Sequence, residues 1–65
     1  MDTLIELYDD RAIENILAPD MFRPKRIFYL CPEEIAQDRK RQEKLRAFFQ
    51  RRGWEPEVTF MTASL

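Results

Sequence analysis

Two adjacent carboxylates, Asp9 and Asp10, follow the first apolar run of the chain, and Arg11 comes directly after them. Carboxylates in such a place can move protons or hold a magnesium ion. Neighbours on an extended backbone point apart, so these two do not form a pair by themselves. For Asp10 the preferred reading is capping and turn formation. For Asp9 a ligand or metal contact stands level with a structural role. Arg11 and Asn15 are four apart, a spacing that places two side chains on one face of a helix. Arginine grips phosphate through paired hydrogen bonds, and asparagine can read a base or hold a ribose. The plainer alternative is a surface ion pair of Arg11 with a neighbouring acid. Thr62 and Ser64 add hydroxyls at the end of the last apolar run, or form an ordinary polar turn. Taken singly, each residue reads more simply as structural. Taken together at one sheet edge, Asp9, Asp10, Arg11, Asn15, Thr62 and Ser64 are a candidate ligand-binding set.

Cys31 ends an apolar run just before an expected helix, a position that can lower a thiol's pKa. No histidine accompanies it, and a buried structural cysteine is the preferred reading. The chain has no histidine at all, one cysteine and one glycine, Gly53. It therefore offers no zinc site of the usual kind, no glycine-rich phosphate loop and no G-x-S-x-G elbow. No catalytic residue, cofactor or metal is expected. A weaker enzyme reading would need a magnesium ion on the aspartates.

The elements that must position these residues alternate. Thr3 to Tyr8 reads as a strand whose near-continuous hydrophobicity suits cover on both faces. Glu6 breaks that run and needs a partner or an open edge. A short helix over about residues 11–18 follows, with Ile13, Ile16 and Leu17 on one stripe, Asp10 as N-cap and Pro19 as its end. Ile27-Phe28-Tyr29-Leu30 makes a second strand. A longer helix opens at Pro32, with Glu33 and Glu34 complementing its dipole, and runs to about Arg52. No apolar residue occurs from Asp38 to Lys44, which marks a kink or a break into two helices. Gly53 supplies the C-terminal cap and Trp54 packs back on the last turn. A third strand lies within Glu55 to Met61, its start confined by Pro56. The expected fold is α/β: a βαβαβ three-stranded parallel sheet, a Rossmann-like half-domain in which residues 1–65 form a single unit.

The 65 residues are 45% hydrophobic and 35% charged, a globular composition. A core this small is marginal, and its single cysteine permits no internal disulfide. Self-association, a further C-terminal portion, or both would supply the missing stability. No apolar run approaches the roughly 20 residues of a membrane span, and no signal peptide is visible. A lone cysteine without export signals fits the cytoplasm. Net charge is −1, yet residues 1–20 hold six acids and one base while residues 39–52 hold seven bases and one acid. A basic run can be a nucleic-acid footprint. The solvated face of a surface helix is the preferred reading, and strong duplex binding is not expected.

The run Thr3-Leu-Ile-Glu-Leu-Tyr-Asp-Asp-Arg-Ala-Ile-Glu-Asn15, followed by Phe22-Arg-Pro-Lys-Arg-Ile-Phe-Tyr-Leu-Cys-Pro32, resembles the N-terminus of bacterial CARF-like proteins. In these a CRISPR-associated Rossmann-fold sensor domain is joined to a restriction-type nuclease domain. The resemblance spans nearly the whole chain and corresponds to the first half of the sensor domain. Its most specific part is the strand, polar turn and short helix that carries Ile13-Glu14-Asn15. It implies a homodimer in antiviral defence that binds a cyclic oligoadenylate across the two-fold axis, at the strand carboxyl ends. The matching positions are Asp9, Asp10, Arg11 and Asn15. Members often carry a small hydroxyl residue just after the first strand, where this chain has acids. No cleavage activity carries over, because the nuclease domain has no counterpart here. The alternative reading is a small oligomeric protein-interaction module without a small-molecule ligand.

Overall fold

The structure, a computed structural model, describes residues 2–62. Three apolar runs form the strands β1 (Thr3–Leu7), β2 (Arg26–Cys31) and β3 (Glu57–Thr62). Between them lie α1 (Ala12–Phe22), α2 (Glu33–Ala36) and α3 (Arg39–Arg51). The sheet is parallel throughout in the order β1-β2-β3, with Leu4 opposite Ile27 and Ile27 opposite Val58. This is the expected α/β fold, consistent with a Rossmann-like half-domain.

The strands are covered on one face only, where cover on both was expected for β1. Crossovers between parallel strands are right-handed in nearly all cases, and two of one hand in strand order carry both connections over the same side of the sheet. Ile27, Tyr29, Cys31 and Val58 are buried on that side, with Leu45 and Phe49 of α3 above them. Tyr29 stacks on Phe60 at 5.2 Å and meets Tyr8 edge-on at 6.0 Å. The alternate residues form the bare face. There Ile5 aligns with Phe28 and Thr59, and Leu7 with Leu30 and Met61. Ile5 and Leu7 are 63% and 75% exposed.

Helix α1 departs from expectation at both ends. Its N-cap is Arg11, with no side-chain cap hydrogen bond, and not Asp10. Asp9 takes the turn-forming role instead, its Oδ1 accepting from the Arg11 N–H at 2.8 Å. Pro19 does not end the helix but sits inside it. A proline there removes the N–H that would serve the Asn15 carbonyl four residues back. The Tyr29 hydroxyl donates to that carbonyl at 2.7 Å, and the helix continues. Termination falls to Arg23, left-handed at φ 46°, whose N–H donates to the Pro19 carbonyl at 2.8 Å.

The long second connection breaks in two where apolar residues run out. Pro32 is the N-cap of α2 and not its first helical residue. Asp38 caps α3, accepting from the Arg41 N–H at 3.2 Å. Gln42 reaches back to donate to the Ile35 and Ala36 carbonyls at 3.0 and 2.9 Å at the end of α2, where the Ile35 carbonyl also accepts from the Asp38 N–H at 3.1 Å. Gly53, at φ 77°, follows the C-cap Arg52, and Trp54 packs on Phe49 at 4.7 Å.

The two edges differ. On β3, Arg46 lies over the Phe60 ring and donates to the Val58 carbonyl at 3.0 Å, which blunts that edge. On β1, Glu6 places a buried Oε1 that has no hydrogen-bond partner among the described residues, and burial pushes its pKa up to about 7. No helix among the described residues is long and apolar enough to cross a membrane.

Candidate functional site

β1 delivers the chain to the carboxyl end of the sheet, and the turn after it is pinned from α1. The Asp9 N–H donates to Asn15 Oδ1 at 2.7 Å, and Asn15 Nδ2 donates to the Asp9 carbonyl at 2.7 Å. Asn15 is only 2% exposed, so its amide is spent on the loop. Arg11 lies outward, with Nε 3.3 Å from Asp9 and Nη2 3.6 Å from Glu14. The two residues therefore do not present one shared surface. The Arg11 N–H, then its guanidinium, hold the Asp9 carboxyl below the usual carboxylate range.

Asp10 is exposed and turned toward α3, its Oδ1 3.8 Å from Arg41 Nη1. Beside it a cleft of about 310 Å³ opens between α1 and α3. Tyr8, Ile16, Leu45 and Phe48 give its apolar lining, and Arg41, Lys44 and Arg51 its charge. Arg41 is shared with Asp38 at 3.5 Å. Among the described residues no acid pairs with Lys44 or Arg51. Positions 41, 44 and 51 fall on one side of a helix, spread over a rise of about 15 Å. Three cations of the basic run thus line the cleft. Its signal was present in the sequence: cations at 41, 44 and 51 with Phe48 between them keep the i, i+3, i+7, i+10 spacing of one stripe.

Of the remaining candidates, Thr62 closes β3 opposite Cys31 and is absent from the cleft lining. Ser64 lies outside the described residues. Cys31 is buried and its thiol donates to the Met61 carbonyl at 3.5 Å. Burial raises its pKa, the direction opposite to that of a reactive thiolate. No cluster of three or more acidic or sulfur ligands occurs among the described residues. The arrangement sets cations along one wall, rings and aliphatic side chains beneath, and a pinned loop at the mouth. No family model, curated protein or solved structure matches the chain.

Proposed function

We propose that the chain is a CARF-like sensor domain. In this reading a self-associated pair of half-domains receives a cyclic oligoadenylate at the carboxyl ends of its strands, in CRISPR-linked defence. One observation carries the reading: the polar turn after β1 is fixed by Asn15 and opens directly beside a cleft whose α3 wall is cationic. Ligands of doubly wound sheets gather beyond the strand carboxyl ends. Arg11 stands at the start of α1, exposed enough to exchange its acidic neighbours for phosphate. Asn15 contributes by holding the loop. Asp9 and Asp10 oppose phosphate, so affinity falls below that of relatives with hydroxyls there. Calorimetric titration of cyclic oligoadenylates tests this reading. One ligand per two chains, with weaker binding by Arg11→Ala, is expected. Absence of binding at micromolar chain concentration contradicts it.

A second reading, a protein-interaction module, is favoured by the bare apolar face of Ile5, Leu7, Phe28 and Leu30. Parallel sheets are ordinarily covered on both faces. In this reading a second polypeptide surface supplies that cover and no small ligand is needed. Sedimentation at rising concentration separates the two: association without any nucleotide response favours the module.

A further inference from the structure

We propose that the α1–α3 cleft is a binding site for a phosphate monoester carried on a flat heteroaromatic ring, the chemistry of a mononucleotide. Arg41 and Lys44 are three residues apart on α3, a rise of about 4.5 Å, close enough to grip one phosphate. Arg41 already holds two acids: Asp38, outside the cleft lining, with Oδ2 at 3.5 Å, and Asp10, within it, with Oδ1 at 3.8 Å. An arriving phosphate takes that place, and the exposed Asp10 swings into water. Among the described residues Lys44 has no acidic partner to give up. Next along the cleft come Ile16, Leu45 and Phe48, with Tyr8 below, which offer a ring its apolar contact. Arg51 stands about 10 Å beyond Lys44, the right place to donate to a ring acceptor. At about 310 Å³ the cleft has room for one such unit and little more.

Charge alone would point to any anion. The rings and aliphatic side chains between the cations narrow the class to an anion that also carries apolar surface. The apolar walls lower the local dielectric and strengthen each cation's pull. A single ring phosphate binds here whether or not the chain senses a cyclic oligonucleotide.

The test is calorimetry on the full chain with three probes: AMP, adenosine (the ring without the charge) and inorganic phosphate (the charge without the ring). AMP is expected to bind with a Kd below about 1 mM, and each half-probe at least tenfold more weakly. Lys44→Ala is expected to weaken AMP about tenfold, the loss of one charge-assisted hydrogen bond, and Lys44→Glu to abolish it. Both variants keep the parent's thermal unfolding, because Lys44 is exposed and pairs with no acid among the described residues. AMP binding no tighter than that of the half-probes, or indifferent to both Lys44 variants, overturns the proposal. Cyclic oligoadenylate goes into the same samples. If it fails to bind while AMP binds through Lys44, the sensor reading falls and the cleft stands. If it binds while AMP does not, the cleft falls and the sensor reading stands.

Discussion

The Tyr29 hydroxyl donates at 2.7 Å to the carbonyl of Asn15, whose helical partner four positions on, Pro19, has no N–H to give. The bond joins the central strand to the helix at the point where the helix would otherwise fail. Through the Asn15 side chain it also steadies the loop at Asp9, and so the mouth of the cleft. Removing the hydroxyl leaves a buried carbonyl without a donor. Tyr29→Phe is expected to cost about 1–3 kcal/mol in denaturant unfolding. In a Pro19→Ala background the restored N–H serves Asn15, and the same change costs measurably less. An equal cost in both backgrounds would show that the two donors are not substitutes.

Asn15→Ala removes both hydrogen bonds that close the Asp9 turn. We expect a loss of about 2 kcal/mol or more, read as a lowered thermal midpoint, before any ligand is added. Asn15→Asp is expected to destabilise as well, since a carboxylate cannot donate to the Asp9 carbonyl. A parent-like midpoint for either variant would return Asn15 to the ligand-reading role its sequence position suggested.

Glu6 makes stability depend on pH in a fixed direction. Its carboxyl binds a proton more tightly folded, with a pKa of about 7, than unfolded, near 4.5. Between those values the folded chain holds more protons, so stability falls as pH rises from about 4.5 to 7 and levels off above. Asp9 and Asp20, shifted down from 3.8, lie below this window. Unfolding midpoints of the parent should drop across it, and those of Glu6→Gln should stay flat. A parent profile that rises with pH there would contradict the burial of this carboxyl.

The bare sheet face should govern association. Leu7 is 75% exposed and lies outside the buried core, so Leu7→Lys is expected to keep the fold. It should move the sedimentation of the chain toward the monomer at tens of micromolar. An unchanged distribution, with the parent self-associated, would place the contact elsewhere, such as the free edge of β1.

Much of the fold was legible in local pattern. Continuous runs such as Ile27 to Leu30 announced strands, and the polar stretch after Asp38 announced the break between α2 and α3. What escaped depends on partners distant in sequence. Pro19 reads as a stop because its rescue comes from Tyr29, ten residues on in another element. Asp10 reads as a cap, yet the neighbouring Asp9 makes the turn and leaves Asp10 facing Arg41. One-sided cover could not be read from hydrophobicity, because Ile5 and Leu7 are as apolar as buried residues. The cleft was hidden for the same reason: which side of α3 meets α1 is set by the crossovers. The stripe of Arg41, Lys44, Phe48 and Arg51 was visible but had no opposing wall until the chain folded.

The most direct measurement is an amide NMR titration of the ¹⁵N-labelled chain with a cyclic oligoadenylate. Shifts centred on Asp9 to Asn15 and on Arg41 to Arg51, saturating at one ligand per two chains, are the predicted result. No shifts at saturating ligand, or shifts confined to Ile5, Leu7, Phe28 and Leu30 on the bare face, would contradict a sensor whose ligand sits at the strand carboxyl ends.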